Sequence, residues 1–97
     1  MDGKIYTLVE SELYAWMLSR LAPIREIDEI LIDLTWALAR LAEDLPFVDG
    51  SEQIRYISSK PLLQDDGAVV RLLLRFLVRD EDTVELLTVE AIPVESA

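Results

Sequence analysis

The sequence predicts an α+β domain in which an N-terminal strand and an antiparallel helix hairpin pack on a three- to four-stranded antiparallel sheet. Three observations carry that expectation. A long apolar stripe with helical spacing fills the middle of the chain, two β-rich runs flank the acidic triplet Asp80-Glu81-Asp82, and a short alternating segment comes first.

Lys4 to Glu10 alternates, with Ile5, Thr7 and Val9 opposing Tyr6 and Leu8, which predicts a first strand. From Glu10 to Leu21, the residues Leu13, Trp16, Met17 and Leu21 fall three and four apart, and acids occupy the first turn. This reads as a short amphipathic helix that Ala22-Pro23 ends. A second helix is predicted over Ile24 to Leu45. Ile27, Ile30, Leu31, Leu34, Ala37, Leu38, Leu41 and Leu45 line one stripe, while Glu26, Glu29, Asp33, Arg40 and Glu43 mostly face away. Pro23 precedes its first turn and Pro46 follows its last, and so short a connection between two helices favours antiparallel packing. Trp16 and Trp36, one from each helix, are expected in the core.

After the turn residues Asp49-Gly50-Ser51, Gln53 to Ser58 alternates as a second strand. Lys60-Pro61 and Gln64-Asp65-Asp66-Gly67 bound a loop. Ala68 to Val78 has spacing that also suits a helix, because Arg71, Arg75 and Arg79 are i, i+4 neighbours. The Asp-Asp-Gly lead-in, the valines and phenylalanine, and the acidic turn feeding Thr83 to Val89 favour a strand in a hairpin. With Arg79 opposite Thr83, the side chains of Val70, Leu72, Leu74, Phe76 and Val78 join Val84 and Leu86 on the core side, and the arginines point outward.

The 97 residues form one domain, 1–97, of which 52% are apolar and 29% charged, enough apolar surface to fold. A chain this short buries only roughly 65% of its unfolded surface, so a homodimer or a fixed partner would add stability. The absence of cysteine and histidine from the sequence removes Ser-His and Cys-His nucleophile pairs and the usual zinc ligands. No catalytic residue, metal or cofactor is therefore assigned. No segment approaches the roughly 20 apolar residues of a membrane span, and the N-terminus lacks a basic leader, so a cytoplasmic location without membrane contact is expected. The net charge of -10 disfavours direct binding of nucleic acid and favours a basic protein surface.

The order of strand, helix hairpin and closing strand-turn-strand is similar to the RelE/ParE toxin superfamily of bacterial toxin-antitoxin systems. The likeness rests on Tyr6-Thr7-Leu8-Val9-Glu10-Ser11 leading into Leu13, on Leu38-Ala39-Arg40-Leu41-Ala42 closing the long helix, and on Arg75-Phe76-Leu77-Val78-Arg79-Asp80-Glu81-Asp82-Thr83-Val84. The last segment looks like the family's Arg-Val-Ile-Tyr-Arg followed by acids and Thr-Val. The resemblance spans residues 4 to 90 and implies a RelE/ParE-like fold. It places Arg75 where ribonucleolytic members keep a strand arginine against the scissile phosphate. Those enzymes place a further basic residue, and often a His or Tyr, after the last strand; here stands Glu90-Ala91-Ile92-Pro93-Val94-Glu95-Ser96-Ala97, which offers no group to stabilise an anionic phosphorane or to donate a proton near neutral pH. The ParE branch, associated with gyrase inhibition through protein contact, does not depend on that site.

The candidate partner-binding residues are Arg71, Leu73, Arg75, Leu77 and Arg79. An arginine stripe on a half-exposed strand also serves simply to keep a sheet soluble, with Glu85 near enough to pair with one of its members. Leu73 and Leu77 between the arginines suit an antitoxin-like segment or a second subunit better than they suit water. Glu26, Asp28, Glu29 and Asp33 read as a solvated helix face, with phosphate mimicry or magnesium as the sharper alternatives, and Asp80 to Asp82 as a turn. Tyr14 and Tyr56 are candidates for polar roles without a neighbouring base. The function these readings imply is a non-catalytic toxin-antitoxin protein acting by protein contact. The alternative is an acidic inhibitor or immunity-type protein that blocks a basic nucleic-acid-binding enzyme.

Overall fold

A computed structural model describes residues 4–94 of the chain. The elements run β1 (Thr7–Glu10), α1 (Glu12–Ser19), α2 (Ile27–Leu41), a 3-10 turn (Ala42–Asp44), β2 (Ile54–Ser58), β3 (Leu62–Leu63), β4 (Val69–Val78) and β5 (Thr83–Pro93). The strands form one sheet in the order β1-β5-β4-β2, and β3 pairs with the start of β4. The fold is thus α+β, with both helices on one side of the sheet.

The closing hairpin forms as its residue pattern predicts. The Arg79 N–H donates to the Thr83 carbonyl at 2.8 Å, and the Asp80 carboxylate accepts the Asp82 N–H at 2.9 Å. That backbone hydrogen bond holds the Asp80 carboxyl below its ordinary pKa. Leu72, Leu74 and Phe76 of β4 and Val84, Leu86 and Val89 of β5 are buried together at the centre of the core. Simple alternation fails at one point: the register shifts between Arg75 and Phe76, whose partners are Thr88 and Leu86, so Leu87 is an extra residue in β5. The bulge exchanges the two faces of β5, bringing Val89 and Ala91 to the core and turning Thr88 and Glu90 outward. β5 also continues past Val89 to Pro93, opposite Val70 at the end of the ladder, where a missing N–H is tolerated.

The sheet is mixed and has five strands, which corrects the expectation of an antiparallel sheet of three or four. β1 lies parallel to β5, with Thr7 opposite Thr83 and Glu10 opposite Leu86. Period-two patterning is the same for either strand direction; the direction is set by the connection, here the two helices that cross one face before the chain returns. The two helices do not pack on each other as the expected antiparallel hairpin; each is seated on strands instead, α1 along β5 and α2 against β1 and β2.

Ser11 begins α1: its hydroxyl accepts the Tyr14 N–H at 3.0 Å and donates to the Leu87 carbonyl at 3.1 Å, tying the helix start to the bulge. This cap orients α1 so that Tyr14 is buried, with Met17, Leu18 and Leu21 packed beside it. Tyr14 is therefore a core residue and not a polar surface group. Leu13 and Trp16 point outward instead, and Trp16 is 57% exposed. Trp36 is 60% exposed, so neither tryptophan occupies the core. Trp36 sits beside Asp33 and Arg40, on the far side of α2 from the buried Ile30, Leu34 and Leu38. The helix begins at Ile27, not Ile24, because Glu26 takes a left-handed conformation with φ 63°, and it narrows into the 3-10 turn after Leu41.

The entry to β1 is pinned to the end of α2. The Tyr6 N–H donates to the Ala39 carbonyl at 2.8 Å, the Tyr6 hydroxyl donates to the Glu43 carboxylate, and Lys4 Nζ lies 3.6 Å from the same carboxylate. The Tyr6 hydrogen bond and then the Lys4 charge hold the Glu43 carboxyl below its ordinary pKa.

Burial, with a smaller contribution from the Glu10 charge, pushes the Tyr14 phenol from 10.0 up to about 12. The folded state therefore holds the phenol proton more tightly than the unfolded chain does. Stability should be intact below pH 10.0 and fall as pH rises from there towards about 12. Tyr14→Phe should flatten a denaturant-midpoint profile across that window. Phe76→Ala, which empties a fully buried site, should cost about 3–5 kcal/mol in chemical denaturation.

Candidate functional site

Arg71, Leu73, Arg75, Leu77 and Arg79 share the sheet face turned away from the helices, because they alternate with the buried Leu72, Leu74 and Phe76 along one continuous strand. Neighbouring strands widen the surface. Ile54, Tyr56 and Ser58 of β2 lie opposite Leu77, Arg75 and Leu73, and Glu85, Thr88 and Glu90 of β5 lie opposite Leu77, Arg75 and Leu73 on the other side. Val48 and Asp49 border one end, where with Tyr56, Leu73 and Arg75 they line a shallow depression of about 260 Å³.

Two of the three guanidinium groups already have partners within the chain. Arg75 Nη1 donates to Glu90 Oε2 at 2.8 Å, and Arg79 Nη2 lies 2.7 Å from Glu85 Oε1. The Arg75 and Glu90 side chains are 34% and 37% exposed, so this pair sits partly withdrawn from water between Leu73, Tyr56 and Thr88. Arg71, opposite Ile92, has no ion pair among the described residues. The face is thus close to neutral in its middle and cationic at the Arg71 end. Leu73 and Leu77 are half-buried, with edges open to solvent between the ion pairs.

The pairing of Arg75 was only half legible. Glu85 was expected near an arginine and meets Arg79, but Glu90 reaches Arg75 only because the bulge turns the even residues of β5 outward after Leu87. The adjacent leucines Leu86-Leu87 were the sole local sign of that shift. The Glu90 carboxylate thus takes one of the Arg75 N–H donors that an anion bound at this strand arginine would compete for.

The acidic residues of α2, including Asp28, Glu29 and Asp33, are exposed on its outer side. Among the described residues no group of three or more Asp or Glu side chains is arranged to hold a metal ion, and no helix is long and apolar enough to cross a membrane. The two tryptophans that the sequence places in the core are exposed instead, each beside an arginine of its own helix end. Arg20 lies 5.0 Å from the Trp16 ring centroid and Arg40 4.0 Å from that of Trp36. The i, i+4 spacing of Ile32, Trp36 and Arg40, off the buried stripe, was the available signal for the Trp36 face.

A double-mutant cycle on Arg75→Met and Glu90→Gln should give a coupling of about 1 kcal/mol in urea denaturation, since the pair is only partly shielded. The corresponding cycle on Arg79 and Glu85 should give less, because Arg79 is 55% exposed. Neither a family model, nor a curated protein, nor a solved structure matches this chain.

Proposed function

We propose that this chain is a non-catalytic protein-interaction domain of toxin-antitoxin type, built on a RelE/ParE-like plan, that binds a partner segment on the helix-free face of its sheet. The observation that carries this reading is the placement of Leu73 and Leu77 as half-open apolar residues framed by the Arg75–Glu90 and Arg79–Glu85 pairs. Arginines that already hold carboxylates lose less on being covered than a bare cationic stripe, which would need a matching anionic partner to offset desolvation. The occupant such a face favours is amphipathic, with apolar side chains over Leu73 and Leu77 and a carboxylate near Arg71.

Catalysis by RNA cleavage is disfavoured on chemical grounds. The sequence has no histidine or cysteine, and the arginine best placed by the resemblance is held by Glu90. The strand, two helices and closing hairpin follow in the order the resemblance implies, which supports the toxin-antitoxin assignment over an unrelated scaffold.

Induced expression in a bacterial host should arrest growth, and the double variant Leu73→Asp/Leu77→Asp should relieve the arrest while the purified variant keeps the wild-type circular dichroism spectrum. The purified wild-type protein should leave RNA intact. Unimpeded growth with abundant wild-type protein would refute the toxin assignment, and arrest by the variant equal to that by wild type would remove the sheet face from the mechanism.

A further inference from the structure

The two outer strands of the sheet differ in how their free sides are finished. Beyond β2, residues 46–48 run alongside: the Val48 N–H donates to the Ile54 carbonyl at 2.8 Å, and the Tyr56 N–H to the Pro46 carbonyl at 3.1 Å. Beyond β1 no further strand follows among the described residues. Thr7 and Ser11 direct their N–H groups to β5, where the Asp82 and Leu86 carbonyls accept them at 2.7 and 3.0 Å. Backbone groups alternate sides along a strand, so those of Tyr6, Leu8 and Glu10 point the other way. The Ala39 carbonyl of α2 meets the Tyr6 N–H there. Leu8 and Glu10 have no backbone partner on that side among the described residues.

The open stretch is short and bounded at both ends. The Ala39 carbonyl closes it at Tyr6, and α1, which starts at Glu12, closes it after Ser11. No proline or lysine within Thr7–Glu10 blunts it. Tyr6 and Leu8 face the core, so Val9 lies on the face away from the helices, where it is 47% exposed. Unpaired N–H and C=O groups beside an exposed β-branched residue are what another extended strand pairs with. A foreign strand that ran on past Thr7 would collide with α2 at Ala39. The β1 of a second copy does not run on, because after Ser11 its chain turns into α1. The same stops also fix the register of two antiparallel copies. Centring the pair on Thr7 or Leu8 would set a backbone opposite Tyr6, where Ala39 already sits, and centring it on Glu10 would set two carboxylates face to face. A two-fold axis at Val9 avoids both.

We infer that the free side of β1 is a self-association edge, on which two copies of the chain pair antiparallel about Val9 and Leu8 of each exchanges hydrogen bonds with Glu10 of the other. The result is one sheet continuous across two molecules, and the covered side of β2 stops it from growing further. Each copy carries a net charge of -10, so repulsion opposes this small contact, and the dimer is weak and tightens with salt. The contact does not use the face that carries Leu73 and Arg75, so it stands or falls independently of the function proposed above.

The chain has no cysteine, so a single introduced thiol reports on the axis. Residues opposite each other in a non-hydrogen-bonded antiparallel pair have Cα atoms about 4.5 Å apart, within disulfide range. Val9→Cys should therefore cross-link to a dimer under mild oxidation at least about tenfold faster than Thr7→Cys, whose thiols would be offset along the two strands. In sedimentation equilibrium the wild-type chain should self-associate, more tightly as salt rises. Val9→Lys should weaken that association by at least about tenfold, whereas Ile5→Lys, the same change in charge at a 59% exposed residue outside the paired stretch, should weaken it less than about threefold. Amide exchange at Leu8 and Glu10 should slow as protein concentration rises. Because Ile5, Thr7 and Val9 are exposed, circular dichroism confirms that the variants fold. A wild-type chain that stays monomeric at millimolar concentration would overturn the proposal, as would equal cross-linking of the two cysteine variants or equal weakening by the two lysines. Protection of Leu8 and Glu10 by an added Thr/Val strand peptide, but not by the chain itself, would give the edge to a foreign strand and overturn it as well.

Discussion

The antiparallel pairing of β4 with β5 is the constraint on which the rest of the molecule depends. This ladder sorts ten consecutive residues of β4 into a buried row and an open row, and nearly every feature of the protein refers to one row or the other. The buried row of Leu72, Leu74 and Phe76 is the floor on which Tyr14, Leu34 and Leu38 rest. The open row carries the arginines and leucines of the proposed docking face. A helical conformation for the same residues would have mixed the two sets around a cylinder and left neither a floor nor a face.

Within that frame, one extra residue has large effects. Leu87 interrupts the ladder, and its carbonyl accepts the Ser11 hydroxyl while that of Leu86 accepts the Ser11 N–H at 3.0 Å. The bulge therefore does two things at once: it anchors the start of α1, and it brings Glu90 onto the side of the sheet where Arg75 waits. The local neutrality of an arginine-rich surface in an acidic protein follows from a backbone irregularity more than from composition. The charge excess is consequently displayed elsewhere, and α2, with its unpaired acids, carries a good share of it.

How much of this was legible in the chain varies with the physical origin of each feature. The hairpin, its turn and the register at Arg79 and Thr83 could be read because they are local: turn chemistry and alternation lie within a few residues of one another. The stripe Ile30, Leu34 and Leu38 was legible for the same reason. The direction of β1 was not, since a strand of four residues carries no mark of which neighbour it will choose. Trp16 and Trp36 were misplaced because size and hydrophobicity favour burial, while the small core beneath each helix is already filled by Tyr14 and by the leucines of α2. β3 escaped notice because two residues of ladder, Leu62 and Leu63, are too short for any pattern. On the sheet face, the five residues singled out from sequence do share one surface, but the ion pairing of Arg75 depended on a bulge and on a strand that extends beyond the point where alternation ceased to be clear.

The parallel contact between β1 and β5 joins the beginning of the described chain to its end, with Thr7 beside Thr83 and the Thr7 N–H donating to the Asp82 carbonyl at 2.7 Å. On the ribosome, the first strand emerges long before the last one exists, and until then its backbone groups on that side have only water to bond with. The helices can form while they wait, but the sheet cannot close around them until β5 has been made. Closure of this sheet therefore waits on its last strand, and the wait gives a co-synthesised partner an interval in which to reach the incomplete sheet.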